Sequence, residues 1–318
     1  MALVEVYEVT ADNGEVMAGS FTATGSLGTA RCDQTATLLP DGNVLITGGE
    51  SFCDDDFAGE DSIGDGGLAR AELYDPSTGT FAPTGSMTTT RIDFSAVLLP
   101  DGKVLVAGGE TLGDGVLASA ELYDPRTGTF TSTGSMTAAR TDYAAVLLPN
   151  GKVLVAGGET IGDGVLSTAE LYDPATGIFT STGPMTTART AYAAVPLSSG
   201  KVLIAGGQTT GDGVLATAEL YDSATGIFTS TGSMMTARTD YPAVLLPDGR
   251  VLVAGGVTIG DSRIASAELY EPATGTFAFT GSMITARTDH AAVLLPNGMV
   301  LVVGGDNSDP LASAELYQ

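Results

Sequence analysis

The sequence of 318 residues has no tryptophan, one histidine and two cysteines. No Ser-His-Asp, Cys-His or zinc arrangement can be assembled from the single histidine. No apolar run approaches the roughly 18–20 residues that cross a bilayer, so we predict no membrane insertion. Residues 1–10 carry Glu5 and Glu8 but no basic segment, so no signal peptide is visible. We therefore expect either a cytoplasmic protein or one whose leader is missing from this sequence.

Basic residues are scarce, since 13 Lys and Arg face 38 Asp and Glu, and the net charge is −25. Such a surface repels phosphate backbones, so we predict that no nucleic acid binds. It attracts divalent cations and basic proteins. The same acidity also serves solubility in an extracellular or saline setting, and that alternative stays open.

One motif is repeated six times along the chain. Gly-Ser-Met or Gly-Pro-Met begins at positions spaced by 49 residues, namely Gly85, Gly134, Gly183, Gly232 and Gly281, and an earlier copy begins at Gly25. Each unit has an Arg, two apolar runs joined by a Pro-Asp-Gly-like turn, Gly-Gly, a Gly-rich loop, Ala-Glu-Leu-Tyr, a turn and Thr-Phe. A fixed period of this length predicts a repeat fold rather than the two domains that length alone suggests.

Each piece of the unit reads as a strand or a turn. In the second repeat unit we predict strands at 95–99, 104–107, 120–123 and 130–133, because the runs are short and lack helical periodicity. Asp124-Pro125 and Gly128 have turn chemistry. Four strands per unit, repeated six times, predict an all-β, six-bladed β-propeller with four antiparallel strands per blade.

The Gly-Gly doublets, the Tyr and the aromatic residue seven positions later resemble the kelch signature. The pairs are Tyr74/Phe81, Tyr123/Phe130, Tyr172/Phe179, Tyr221/Phe228 and Tyr270/Phe277. The family usually has Trp where this chain has Phe. The segment Val-Leu-Leu-Pro-Asp-Gly-Lys-Val-Leu-Val-Ala-Gly-Gly, at 97–109, resembles the sequences of bacterial kelch proteins related to the galactose oxidase propeller. Copper-radical chemistry is excluded because it needs more histidine ligands than one.

We predict one domain over residues 1–318, with repeat units starting near 25, 85, 134, 183, 232 and 281. The chain ends after Ala-Glu-Leu-Tyr at 314–317, just after a third strand. We expect the segment 1–24 to close the ring, with a strand in 19–24 completing the last blade and protecting its edge. Val4-Glu5-Val6-Tyr7 is similar to the repeated Ala-Glu-Leu-Tyr, but we assign it to no blade.

The first repeat unit departs most from the consensus, because its loop after Gly49 is 11 residues longer than the equivalent loops. We predict a disulfide between Cys32 and Cys53, which would pin this loop and imply a secreted or cell-surface protein. If the two thiols are reduced, the protein is cytoplasmic. Long loops on one face of a repeat array often carry binding function, and Asp54, Asp55 and Asp56 are candidate metal ligands there.

Two sets of acidic residues recur in the loops that we expect on one face of the propeller. The first follows the repeated Arg by two positions, except at Ala191, and the second follows Gly-Gly, except at Gln208 and Val257. With Arg31 and His290, they form our candidate ligand-binding set: Arg31, Asp33, Glu50, Asp93, Glu110, Asp142, Glu159, Asp240, Asp289, His290 and Asp306. Oxygen ligands of this kind suit Ca²⁺.

Each of these residues has a structural alternative. The repeated arginines are typical of a ladder of Arg–carboxylate pairs that braces adjacent blades. His290 stands where other units have Gln, Phe or Tyr, which favours a packing role. The Gly-flanked Asp65, Asp114, Asp163 and Asp212 resemble calcium loops, but turns explain them equally well.

We expect a non-enzymatic binding module for a protein or glycan, monomeric, with no required cofactor and Ca²⁺ as the candidate ion. Near-identical loops in units 2 to 4 favour this, because catalytic centres are normally asymmetric. The alternative is an enzyme acting at the channel mouth, resembling kelch sugar mutarotases and epimerases or metal-dependent kelch proteins. A purely structural element and a consensus repeat without a natural ligand also stay open.

Overall fold

The computed structural model describes residues 5–8, 20–51, 67–113, 115–162, 164–211, 213–309 and 311–318, with strand pairing alone at 5–8 and 20–23. Throughout these residues the secondary structure is β-strand and turn, with no helix, so none could span a membrane. Six sheets in this part of the chain are the blades of a β-propeller. The all-β prediction and the six-bladed β-propeller prediction are confirmed.

The chain forms two compact units, residues 1–135 and 136–318. The first unit holds a hairpin and blades 1 and 2. The hairpin consists of β1 (Glu5–Glu8) and β2 (Ser20–Ala23). Blade 1 consists of β3 (Thr35–Leu38), β4 (Val44–Thr47), β5 (Ala71–Asp75) and β6 (Thr80–Pro83). Blade 2 consists of β7 (Ser95–Leu98), β8 (Val104–Ala107), the small hairpin β9 (Glu110–Thr111) and β10 (Gly115–Val116), β11 (Ala120–Asp124) and β12 (Thr129–Ser132).

The second unit holds blades 3 to 6. Blade 3 has β13 (Ala144–Leu147), β14 (Val153–Ala156), β15 (Glu159–Thr160), β16 (Gly164–Val165), β17 (Ala169–Asp173) and β18 (Ile178–Ser181). Blade 4 has β19 (Ala193–Pro196), β20 (Lys201–Ala205), β21 (Gln208–Thr209), β22 (Gly213–Val214), β23 (Ala218–Asp222) and β24 (Ile227–Ser230). Blade 5 has β25 (Ala243–Leu245), β26 (Val251–Ala254), β27 (Val257–Thr258), β28 (Ser262–Arg263), β29 (Ala267–Glu271) and β30 (Thr276–Phe279). Blade 6 has β31 (Ala291–Leu294), β32 (Val300–Val303) and β33 (Ala314–Tyr317).

In blades 1 to 5 the four main strands follow one another in antiparallel order, and blade 6 has three such strands among the described residues. The second strand is the apolar centre, and in β26 all four residues are buried. The core lies between consecutive blades, where residues such as Leu154 of blade 3 pack with Ile204 of blade 4. An apolar run without alternation therefore marks a strand that is covered on both faces.

Each Tyr/Phe pair joins the third and fourth strands of a blade. Tyr270 packs against Phe277 with the rings tilted by 47° and their centroids 4.8 Å apart. The Tyr270 hydroxyl also meets the Thr231 hydroxyl at the end of the preceding blade's outer strand, at 2.9 Å. The same link joins Thr84 to Tyr123 in the first unit. One conserved spacing in the repeat thus stabilises both the blade and its boundary with the previous blade.

The predicted closing strand has a different partner from the one expected. β2 pairs with β1, and β33 has only β32 as a neighbour among the described residues. The register explains this, because Tyr7 lies opposite Phe21 just as Tyr123 lies opposite Phe130. Residues 5–8 therefore pair with β2 in the way that a third strand pairs with a fourth strand. This gives a position to the segment that the sequence analysis left unassigned.

Candidate functional site

The repeated arginines are buried and form one ion pair in each blade. Arg238 is completely buried, and its Nη2 donates to the Glu268 carboxylate at 2.8 Å. Its Nη1 donates to the carbonyls of Gly255 and Ser266, at 2.8 and 2.9 Å. The equivalent pairs are Arg31–Glu72, Arg91–Glu121, Arg140–Glu170, Arg189–Glu219 and Arg287–Glu315.

This ladder uses a carboxylate that the sequence analysis did not assign. The partner is the Glu of Ala-Glu-Leu-Tyr on the third strand of the same blade, and not the Asp two residues after the Arg. The link to the preceding blade comes from the backbone, since Gly207 N–H donates to the Arg238 carbonyl at 2.9 Å. Arg31 belongs to this ladder through Glu72, which gives its guanidinium a structural partner.

The aspartates after the arginines share an unusual backbone conformation. Asp33, Asp93, Asp142, Asp240 and Asp289 have φ between 48° and 54°, and so does Ala191, at 48°. Asp adopts this left-handed region more readily than most residues, which explains its recurrence here. In the second unit, Asp240 N–H donates to the Ala191 carbonyl and Asp289 N–H to the Asp240 carbonyl, both at 3.3 Å. These bonds fix the loops of consecutive blades relative to each other.

Four acidic residues of the predicted binding set lie in the first unit. Asp33, Glu50, Asp93 and Glu110 form what we call the four-carboxylate cluster. Burial, followed by the charges of Asp33, Glu110 and Glu50, raises the pKa of Asp93 to about 6. Backbone bridges hold the two glutamates beside these loops, because Glu50 pairs with Cys32 and Glu110 pairs with Ile92. A bound cation would relieve this like-charge repulsion.

The ligand atoms of Asp33, Glu50 and Cys32 lie within 4.8 Å of one another. The two carboxylates fit a hard cation such as Ca²⁺, which binds oxygen. The sulfur of Cys32 does not fit Ca²⁺, since thiolates select softer metals. The donor set for a calcium ion is therefore made of the carboxylates alone.

In the second unit the predicted binding residues fall into different surroundings. Burial, and then the charge of Asp289, raises the pKa of Asp240 to about 6. Asp306 instead forms an ion pair with Arg263, whose Nε donates to the carboxylate at 2.7 Å. Asp142 is exposed and Glu159 is half-buried. Asp240 and Asp289 therefore resemble the cluster of the first unit most closely.

His290 is a buried residue of the boundary between blades 5 and 6. Its ring lies against Gly255 and Met283, and neither nitrogen has a hydrogen-bond partner of normal geometry among the described residues. Burial and then the charge of Arg287 lower its pKa to about 4, against smaller opposing effects of the Ala254 carbonyl and Glu315. The imidazole is thus neutral at pH 7, which suits packing better than ligand binding.

Several predicted residues lie outside the described part of the chain. These are Cys53, the candidate metal ligands Asp54, Asp55 and Asp56, and the Gly-flanked Asp65, Asp114, Asp163 and Asp212. The Cys32–Cys53 disulfide therefore stays a prediction. The long loop begins at Glu50, which belongs to the four-carboxylate cluster and pairs with Cys32.

Comparison with known proteins finds no matching family model and no matching curated protein.

The raised pKa of Asp93 predicts a pH-dependent effect of Asp93→Asn. The unfolded carboxyl titrates near 3.8 and the folded one near 6. The protonated form thus stabilises the fold below about pH 4, and this contribution is lost as pH rises through 6. Removing the charge should stabilise the protein at pH 8 by about 1 kcal/mol, after allowance for solvent screening.

Thermal melts at pH 8 and pH 4 check this expectation. Asp93→Asn should raise the melting temperature by about 2 °C at pH 8 and leave it unchanged at pH 4. Asn also tolerates the left-handed conformation, so the substitution preserves the backbone. An equal effect at both pH values would show that the ionised form of Asp93 does not cost the fold stability.

Proposed function

We propose that this chain is a non-enzymatic binding module of the kelch type, resembling bacterial relatives of the galactose oxidase propeller. Its acidic loops present a surface to a protein or glycan ligand, and the four-carboxylate cluster holds a Ca²⁺ ion. The observation that carries the proposal is the grouping of Asp33, Glu50, Asp93 and Glu110, where burial of Asp93 and then the charges of the other three carboxylates raise the pKa of Asp93 to about 6.

Carboxylates that lie this close together without a counterion repel one another. Backbone bridges at the two glutamates and left-handed loops at the two aspartates fix the backbone of all four negative groups. A divalent cation converts this repulsion into coordination, with the oxygen-rich ligand set that Ca²⁺ prefers. The ligand oxygens of a polyhydroxylated glycan or of an acidic protein side chain would complete the coordination shell.

Calcium binding can be tested with a matched pair of double variants. Asp33→Asn with Asp93→Asn removes two charges from the cluster. Asp41→Asn with Asp101→Asn removes two charges from tight turns of the same unit, where each Asp accepts a backbone N–H two residues later. Blades 3 and 6 already have Asn150 and Asn297 at that turn position.

Isothermal titration with CaCl₂ in high NaCl is the measurement, because salt screens diffuse attraction to the acidic surface. We expect saturable binding by the natural chain and by the turn variant. The cluster variant should bind at least tenfold more weakly, since it loses two of four charged ligands. Equal weakening in both variants would place the attraction in the net charge and contradict the cluster as a site.

We also propose that Cys32 pairs with Cys53 and that the protein is secreted or displayed at the cell surface. Cys32 lies beside Glu50 at the base of the long loop, with the Glu50 carbonyl 3.8 Å from its Sγ. Mass spectrometry of the non-reduced, alkylated protein would show a peptide that joins the two cysteines. Alkylation of both thiols without prior reduction would argue for a reducing compartment instead.

A sugar mutarotase or epimerase is the second candidate function. One observation favours it: Asp93 and Asp240 have pKa values of about 6, close to the range in which a carboxyl serves as general acid and base. An enzyme of this class should speed the interconversion of sugar anomers followed by NMR. Asp93→Asn would then abolish the activity, whereas a binding module shows no rate enhancement at all.

A further inference from the structure

Arg70 differs from every other arginine of the chain. Nine of the ten arginines have a carboxylate within ion-pair distance, including the exposed Arg126, Arg250 and Arg263. Arg70 is exposed and has no such partner among the described residues. In a chain of net charge −25, an arginine without a carboxylate partner is the exception to be explained.

Arg70 also differs from the residues at the equivalent position of the other blades. Other blades have a hydroxyl residue there, namely Ser119, Thr168, Thr217, Ser266 and Ser313, and each hydroxyl accepts from Nη2 of that blade's ladder arginine. Blade 1 lacks this hydroxyl, and Arg31 Nη2 donates to Glu72 alone. The substitution thus removes a structural hydrogen bond and adds a positive charge.

The added charge is close enough to affect Arg31. Burial and, in smaller measure, the charge of Arg70 lower the pKa of Arg31, while Glu72 opposes both. The Arg31–Glu72 pair of blade 1 therefore has a second guanidinium near it, which has no carboxylate of its own within ion-pair distance among the described residues. The excess positive charge at this point favours an anionic group from outside the chain.

A pocket of about 370 Å³ lies at this point of the first unit. The residues that line it include Thr29, Arg70, Glu72, Pro83 and Ser86. The volume suits a single sugar ring. Arg70 supplies the bidentate geometry that recognises a carboxylate, and Thr29 and Ser86 bring hydroxyls that match those of a sugar.

We propose that this pocket, which we call the Arg70 pocket, binds the carboxylate of an acidic sugar such as a uronic acid. Arg70 pairs with the carboxylate, and the Glu72 oxygens accept from a ring hydroxyl. Pro83 offers an apolar surface to the C–H face of the ring. The site extends the proposed binding function to a second location and does not depend on a cation at the four-carboxylate cluster.

The test compares glucuronate with glucose as probes, by NMR titration of the full chain in EDTA and 0.5 M NaCl. We expect glucuronate to bind saturably and at least tenfold more tightly than glucose. Arg70→Ser restores the residue type of the other blades, so it should keep the fold while abolishing the preference for the acid. Arg126→Ser, an exposed arginine of the same unit, serves as the charge-matched control and should keep it.

Two results would overturn the proposal. One is equal affinity of the natural chain for glucuronate and glucose. The other is an unchanged preference in Arg70→Ser, with its fold verified by an unchanged circular dichroism spectrum. Because EDTA removes Ca²⁺ throughout, failure here leaves the calcium titration of the cluster untouched, and the reverse also holds.

Discussion

Replacing Arg238 by Ala should destabilise the protein by about 3–5 kcal/mol, because it leaves the Glu268 carboxylate buried without its counterion. Both side chains are fully buried, and the pair is 2.8 Å long. Glu268 would keep its bonds from the backbone N–H groups of Met235 and Thr236. These two donors hold the carboxylate in place, so it cannot turn outward to find water.

The chain contains a suitable control for this substitution. Arg126 forms an ion pair with Asp124 that is 3.0 Å long, but the Arg126 side chain is 78% exposed. Exposed pairs contribute little to stability, so Arg126→Ala should leave the unfolding transition unchanged. Chemical denaturation of the two variants compares the same pair of charges in buried and exposed surroundings.

The double variant Arg238→Met with Glu268→Leu separates the cost of an unpaired charge from the value of the pair. Replacing both partners by apolar residues removes the unpaired carboxylate, so it should recover most of the lost stability. If Arg238→Ala destabilises no more than Arg126→Ala does, the ladder is not a principal determinant of the fold.

Replacing His290 by Tyr should make the protein less sensitive to acid. The folded pKa of His290 is about 4, below the unfolded value of 6.5. Stability from the neutral ring is therefore complete above about pH 6.5 and is lost as pH falls towards 4. The loss amounts to about 2 kcal/mol at pH 5 and is absent from a tyrosine at this position.

Tyrosine also fits the site, because the equivalent Tyr241 donates its hydroxyl to the Ala205 carbonyl at 2.8 Å. For His290 the corresponding carbonyl is that of Ala254 in blade 5. His290→Tyr should consequently raise the melting temperature slightly at pH 8 and by several degrees at pH 5. The aspartates whose pKa is raised act in the opposite direction on acidification, but they are common to both proteins and cancel in the comparison.

The reciprocal substitution Tyr241→His provides the matched test. It should introduce the same acid sensitivity at the boundary between blades 4 and 5. Thermal melts from pH 8 to pH 4.5 on all three proteins measure the effect. A natural chain and His290→Tyr variant with parallel pH profiles would show that His290 does not titrate within the fold.

Repetition explains why the strands were predictable from the sequence. Each short apolar run between turn residues recurs six times, and the predicted strand at 95–99 differs from β7 (Ser95–Leu98) by one residue. The small hairpins such as β9 and β10 were missed, because their strands of two residues carry no periodicity. Local pattern is informative only where an element is long enough to display it.

Partners distant in sequence were harder to predict. Arg238 and Glu268 are 30 residues apart, and the nearer Asp240 offered an equally plausible carboxylate. The pairing of β2 was misassigned because two segments, 5–8 and 314–317, carry the same third-strand pattern. Comparison between repeats could have found Arg70, since it stands where the other blades have Ser or Thr.

The measurement that tests the central claim most directly is a thermal melt followed by circular dichroism, in high NaCl, with EDTA and then with millimolar Ca²⁺. Calcium at 100 times its dissociation constant adds about 2.7 kcal/mol, which for a chain of this size raises the melting temperature by several degrees. We predict a saturable rise that Asp33→Asn with Asp93→Asn abolishes. An identical melt in EDTA and in Ca²⁺ would contradict the four-carboxylate cluster as a cation site.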